Sequence, residues 1–106
     1  MEELKLSTRE FIPDNSEEIG LVKGTAVIAV NMVKDLLAQW HNIAGGNVKA
    51  YKKLIDETVD AALINMKKNA ISMNANGISG IKIFTPSVMM GAAEIVVLGT
   101  AWKYIS

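Results

Sequence analysis

Three short stretches of small residues constrain how this chain can fold. They are Asn42–Asn47, Ala75–Gly80 and Leu98–Trp102, and each lies beside a strongly apolar segment. Glycine and its small neighbours allow the backbone to turn tightly or to approach another backbone closely. None of the three stretches contains an obvious nucleophile, a set of metal ligands or a phosphate-binding loop. They therefore indicate an architecture, and they indicate no reaction.

Length and hydrophobicity together predict self-association. A chain of 106 residues has the usual length of one domain, so we expect a single domain over residues 1–106. Half of its residues are hydrophobic and 21% are charged. A lone domain of this size has too little interior to bury so much apolar surface. The surplus needs either a membrane or further copies of the same chain.

Membrane insertion, nucleic-acid binding and thiolate chemistry are each disfavoured. The chain has no run of about 20 apolar residues, which a spanning helix would need, and charged residues crowd the N-terminus, where a secretory signal would be apolar. Its 11 acidic and 11 basic residues give a formal net charge of zero, without a basic run. Cysteine is absent. We therefore predict a cytoplasmic protein whose main partner is itself.

The apolar pattern predicts an α+β fold in the order strand, helix, helix, strand, strand. A possible additional edge strand is formed by Leu4, Leu6 and a short stretch over Thr8–Ile12. The long helix carries an apolar stripe that includes Ala62, Met66 and Ala70. The five elements are predicted over Ile19–Val30, Asn31–Ile43, Val48–Met73, Ile78–Phe84 and Ala92–Ile105.

Four residues are assigned to turns or irregularities. Gly45 and Gly46 end the first predicted helix, because glycine adopts positive φ angles at low cost. Asn76 lies in the turn that follows the long helix. Gly99 stands in the middle of the last predicted strand, where glycine indicates a bulge or a close backbone approach.

Five short motifs, in order, resemble the YbjQ-like family of small bacterial and archaeal proteins, whose label names heavy-metal binding. The resemblance covers Ile19 to Ala101, and residues 1–18 match only loosely. The motifs are Gly20-Leu21-Val22-Lys23-Gly24, Asn31 with Asp35, Ile43-Ala44-Gly45-Gly46 with Tyr51, Ala75-Asn76, and Gly99-Thr100-Ala101.

The resemblance implies an assembly and brings no catalytic residues. Members of this family look like homopentamers, in which strands of neighbouring subunits join into a closed β-barrel with the helices outside. Closure would explain strands that are apolar on both faces. Asn47 and Val48 stand where the family has Arg-Ser, and Asn74 stands where it has Gly. A lost arginine weakens any role in binding anions that the family would imply.

Five polar residues near the double glycine are the candidate ligand-binding set: Asn31, Asp35, His41, Asn47 and Tyr51. Each also has a structural interpretation. Asn31 and Asp35 are suited to capping a helix N-terminus, Tyr51 to the core, and His41 to a helix C-terminus. His41 is the only histidine, so a metal would need symmetry-related copies, and a five-fold ring of imidazoles suits tetrahedral zinc poorly.

The sequence therefore supports three functions, in descending order. The first is a homo-oligomeric binding or scaffold module that holds an unidentified small molecule at a subunit interface. The second is a metal-binding or metal-stress protein, and the third is an enzyme whose site is assembled between subunits. No catalytic residue, metal ligand or cofactor is assigned.

Overall fold

The computed structural model describes residues 3–29, 46–85 and 92–105. These residues form a four-stranded mixed sheet with one helix against it, in agreement with the predicted α+β class. The elements are β1 (Lys5–Leu6), β2 (Ser16–Ala29), α1 (Gly46–Ser72), β3 (Gly77–Phe84) and β4 (Ala92–Tyr104). The strands lie in the order β1-β3-β4-β2, with β1 parallel to β3 and the other neighbours antiparallel.

The prediction of two helices and a closed β-barrel is wrong. The described ranges contain one helix, and their sheet is open, with β1 and β2 as its two edges. The four strands of the chain do not close on themselves, because β1 and β2 each have a strand neighbour on one side only. The apolar pattern that suggested closure has a simpler cause, because one face of the sheet packs against α1 while the other keeps exposed apolar side chains. The helix predicted over Asn31–Ile43 lies outside the described residues.

The long helix and the last three strands lie close to their predicted bounds. The N-terminal edge strand is Lys5–Leu6, which includes Leu6 of the predicted segment, whereas Thr8–Ile12 forms no strand. The edge strand forms there because β3 offers free carbonyls, so that the Lys5 amide donates to Asn76 at 3.1 Å and the Ser7 amide to Ile78 at 2.9 Å. Gly46 is the first residue of α1 instead of a helix-ending residue.

The core lies between α1 and the strands β2 and β4. The predicted stripe of Ala62, Met66 and Ala70 is fully buried, and it meets Val22 and Val97 from the sheet. The helix approaches β2 so closely at Gly24 that a Cβ atom there would collide with the helix backbone at Ala62 and Met66. A glycine at this position therefore sets the distance between helix and sheet.

Two asparagines of α1 cover the edge of β2. Asn65 donates its side-chain amide to the carbonyl of Thr25 at 2.7 Å, and Asn69 donates to the carbonyl of Lys23, also at 2.7 Å. Asn65 and Asn69 are four residues apart on the helix, and the carbonyls to which they donate are two residues apart on the strand. Since β2 is an edge strand, its outward carbonyls lack a strand partner, and the two amides take that place.

A β-bulge divides β3 into two halves. Ser79 pairs with Thr100 and Lys82 pairs with Leu98, so Gly80 and Ile81 together oppose Gly99. Gly80 has a φ angle of 64°, which favours glycine. The irregularity expected at Gly99 is therefore present, although the extra residue belongs to the neighbouring strand.

Candidate functional site

The face of the sheet opposite α1, here called the open face, carries apolar and charged side chains in cross-strand rows. Directly paired residues point to the same side of a sheet. One row contains Lys23, Leu98 and Lys82, and the next contains Thr25, Val96 and Phe84. The upper part of the open face is formed by Leu21, Lys23, Thr25, Val27, Lys82, Phe84, Glu94, Val96, Leu98 and Thr100.

A shallow depression of about 260 Å³ lies on this face. Its wall includes Leu21, Phe84 and Leu98, with the backbone of the bulge at Gly80. Leu21 is 70% exposed and Phe84 is 46% exposed. Exposed apolar side chains therefore form part of its wall.

One ion pair lies at the rim of the depression. The ammonium group of Lys82 lies 3.2 Å from a carboxylate oxygen of Glu10. Both side chains are largely exposed, so the pair contributes at most about 1 kcal/mol to stability. It places one charge of each sign beside the apolar wall.

The lower part of the same face is closed. Trp102 is 2% exposed, and its indole N–H donates to the hydroxyl of Ser79 at 3.0 Å. The Tyr104 ring meets the Trp102 ring edge to face at 5.0 Å, and Lys5 donates to the Tyr104 hydroxyl at 2.6 Å. These contacts make the Trp102 region part of the packed interior.

A second and larger cavity, of about 710 Å³, lies between the N-terminal segment and the end of α1. Its lining includes Leu4, Lys67, Ile71 and Asn76. The Asn76 side-chain oxygen accepts the Tyr104 amide at 2.8 Å, while its backbone groups bond to Lys5 and Trp102. Asn76 thus bonds to both β1 and β4 from the turn before β3.

The candidate residues predicted from the sequence are placed only in part. Asn31, Asp35, His41 and Gly45 lie outside the described residues. Asn47 and Tyr51 lie in the first two turns of α1. Their positions are four residues apart, which places them on one side of the helix.

The open face contains residues that the sequence analysis did not select. Lys82 and Phe84 were missed because the bulge changes which β3 residues share a face. Glu10 was missed because its partner is 72 residues away, and no local pattern reports such a contact. Gly99 gave the available signal, since it indicated a bulge or a close backbone approach in the last strand.

Neither a cluster of metal ligands nor a membrane-spanning helix occurs in the part of the chain that the structure describes. Within residues 3–29, 46–85 and 92–105, no group of three or more His, Cys, Asp or Glu side chains could hold a metal ion. In the same part of the chain, no helix is long and apolar enough to cross a membrane.

Comparison with models of protein families shows to which family the chain belongs. A model of the YbjQ family, described as "Putative heavy-metal-binding", matches residues 4–105. The chain belongs to the YbjQ family. The matched range includes nearly all of the N-terminal segment, which matched only loosely by motif.

The names of the relatives of this YbjQ-family chain state no activity. A UPF0145 protein of Helicobacter hepaticus is 36% identical, over 97% of this chain and 100% of its own length. A UPF0145 protein of Thermus thermophilus is 37% identical, over 93% of this chain and 89% of its own. These are uncharacterised proteins, so the family relationship identifies no substrate.

A solved structure shares the fold. It is the crystal structure of a protein of unknown function from Pediococcus pentosaceus, of the DUF74 family. The TM-score is 0.68 with 19% sequence identity, and the alignment covers 96% of this chain and 98% of the other. The similarity therefore supports the α+β fold of this chain.

Proposed function

We propose that this YbjQ-family chain is a homo-oligomeric scaffold or binding module. The observation that carries the proposal is the exposure of large apolar side chains among the described residues, in particular Leu21 and Phe84 on the open face. Such a chain gains stability by burying surface against other copies.

The exposed apolar side chains support the same proposal. Scattered single apolar residues are normal on a monomer, whereas clustered ones indicate an interaction surface. Leu21 and Phe84 lie together at the depression on the open face. Among the described residues, the exposed large apolar side chains are Leu6, Phe11, Leu21, Val27, Ile64, Ile71, Ile83, Phe84 and Ile105.

The proposed ligand is a small molecule held between subunits at the open face. Alone, the depression of about 260 Å³ is smaller than the roughly 300–1,000 Å³ of ordinary ligand pockets. A second subunit over the open face would enclose it and bring further side chains to it. The family resemblance implies five subunits.

Native mass spectrometry of untagged protein tests this proposal. A mass near five chains of 11.5 kDa is expected, and any additional mass would reveal a retained small molecule. A monomer across the micromolar range would contradict the proposal. Exchange into a volatile buffer at two protein concentrations separates true assembly from association in the spray.

The heavy-metal label of the family is the alternative, and the donor atoms of this chain fit it poorly. Soft metal ions prefer thiolate and imidazole ligands. The chain has no cysteine and a single histidine, His41. Elemental analysis of the same untagged sample decides this alternative: a stoichiometric metal would support it, and a trace amount would leave the scaffold proposal.

A further inference from the structure

The larger cavity, between the N-terminal segment and the end of α1, combines charged, amide and aliphatic side chains. Its volume is about 710 Å³, which lies within the range of roughly 300–1,000 Å³ of ordinary ligand pockets. Leu4 and Ile71 supply aliphatic surface, and Glu3 and Lys67 supply one charge of each sign. A cavity with this lining suits a ligand that carries both charges itself and is apolar elsewhere.

Backbone hydrogen bonds hold both walls of the cavity. On one wall, a Schellman motif closes α1, and in it the Asn74 amide donates to the Ile71 carbonyl at 3.0 Å. Asn74 has the left-handed conformation that the motif requires, with a φ angle of 62°. On the other wall, the Lys5 amide bonds to the Asn76 carbonyl, and the preceding Leu4 packs against the core. The shape of the cavity is therefore set by the fold of a single chain.

Two asparagines that line the cavity have unused hydrogen-bonding groups. The Asn76 side-chain oxygen accepts the Tyr104 amide at 2.8 Å, which fixes the orientation of its amide group. Within residues 3–29, 46–85 and 92–105, the Asn76 Nδ2 atom and the Asn74 side chain have no hydrogen-bond partner. A carboxamide has the same kinds of donor and acceptor as a peptide bond. The two side chains are therefore suited to the peptide groups of a ligand.

The two charges of the lining are available to a ligand. Glu3 and Lys67 are exposed, and neither forms an ion pair in the part of the chain that the structure describes. The last carbonyls of a helix carry a partial negative charge, and the last turn of α1 contains no basic residue. A cation at the end of α1 would thus meet both the helix end and the Glu3 carboxylate.

The separation of the two charged residues indicates the length of the ligand. Lys67 lies five residues before Ser72, where α1 ends, and this corresponds to about 7–8 Å along the helix axis. The parallel register of Lys5 with Gly77 places Glu3 beside the turn that follows the helix. The backbone positions of Glu3 and Lys67 are therefore separated by roughly 10 Å, which is the length of three extended residues.

We propose that this cavity binds a short apolar peptide of about three residues with free termini. The peptide's ammonium group lies against Glu3 and the helix end, and its carboxylate lies against Lys67. Its side chains contact Leu4 and Ile71, and its peptide groups bond to the two asparagines. The site is built within one chain, so it is separate from the open face and does not depend on a second copy.

Titration of the untagged protein with the tripeptide Ala-Leu-Ala tests the site. A dissociation constant below about 1 mM is expected in calorimetry, with changes in NMR amide shifts concentrated at Ile71 and residues 74–76. The absence of saturable binding would overturn the proposal. Shifts concentrated at Leu21, Leu98 and Thr100 would also overturn it, because they would place the peptide in the depression on the open face.

Peptides with one blocked terminus assign each end of the ligand. Glu3→Gln is expected to weaken binding of free Ala-Leu-Ala about three-fold, and to leave the affinity for the N-acetylated peptide unchanged. Lys67→Gln is expected to have the same effect on the free peptide, and none on the C-terminally amidated one. If either variant weakened the free and the blocked peptide equally, the residue would not meet that terminus and the proposal would be overturned.

Glu18→Gln and Lys68→Gln are the matched controls. Both residues are exposed and lie outside the cavity lining, so these variants are expected to bind the peptide like the unchanged protein at about 0.15 M salt. A loss equal to that of Glu3→Gln or Lys67→Gln would show a general effect of charge and would overturn the proposal. Circular dichroism checks the folding of each variant.

The outcome for this site is distinguishable from the outcome for the proposed function. An oligomer that binds no tripeptide would overturn the site and leave the proposed self-association intact. A monomer that binds the tripeptide at the end of α1 would support the site and contradict the self-association.

Discussion

Gly24 determines how closely the helix can lie on the sheet. It is a buried strand residue whose missing side chain leaves room for the backbone of α1 at Ala62 and Met66. The atoms that a Cβ would collide with belong to the helix backbone, so no side-chain rotation can relieve the collision. A single methyl group at this position must therefore move the whole helix.

We expect Gly24→Ala to destabilise the protein by about 2–3 kcal/mol, since overpacking against a rigid backbone costs this much. Urea unfolding followed by circular dichroism measures the change. Thr25→Val is the matched control, because Thr25 is adjacent but exposed on the other face, and its effect is expected to stay within about 0.5 kcal/mol. Equal stability of both variants would contradict the account of Gly24.

Among the elements, α1 and β2 are joined by side-chain amides as well as by apolar packing. Asn65 and Asn69 stand on one side of the helix and bond to alternate carbonyls of the strand. We expect the double variant Asn65→Asp with Asn69→Asp to lose about 2–4 kcal/mol, because carboxylates cannot donate and each carbonyl loses its partner. The change leaves helix propensity almost unaltered.

The measurement for this pair is urea unfolding together with light scattering at neutral pH. Increased scattering is expected as well, since the outer edge of β2 becomes open to other chains. Asn15→Asp is the control, because Asn15 is exposed and it accepts the bond from the Ile105 amide through its backbone carbonyl. A double variant with the same free energy of unfolding and the same light scattering as this control would contradict the role of the amides.

The elements could be predicted from the sequence to different degrees. The bounds of α1 and β4 follow from apolar periodicity and from the flanking small residues, which are local signals. The order of the strands does not, because the parallel pairing of Lys5–Leu6 with β3 joins segments that are far apart in the chain. The prediction of a closed barrel was wrong because two-faced apolar strands were interpreted as doubly covered, and the helix predicted over Asn31–Ile43 lies outside the described residues.

The candidate site could be predicted even less. Its apolar members come from three strands, and only the pairing of the strands places Leu21, Leu98 and Phe84 near one another. The polar residues near Gly46 were selected because unusual residues cluster there in the sequence. Proximity along the chain gave no information on which face of the sheet would remain exposed.

At the scale of the whole molecule, the proposed contacts between copies are apolar. The exposed ion pairs among the described residues, Lys53 with Glu57, Lys82 with Glu10 and Lys103 with Glu17, form within one copy. We therefore expect the dissociation constant of the assembly to change less than about three-fold between 0.1 M and 1 M NaCl, because salt screens charges and leaves apolar contacts intact. Sedimentation equilibrium measures it. A loss of ten-fold or more in affinity would indicate contacts dominated by charge.

The bulge in β3 reverses which alternate residues of the strand face the helix. Before it, Ile78 faces the helix and Ser79 faces away. After it, Ile83 faces the helix and Lys82 and Phe84 face away, which is the opposite parity. Simple alternation that kept both Gly80 and Ile81 would turn Lys82 and Phe84 towards the helix, whereas deletion of either residue would leave both side chains facing away from it. The bulge thus decides which side of the protein displays an aromatic ring and which displays a branched aliphatic chain.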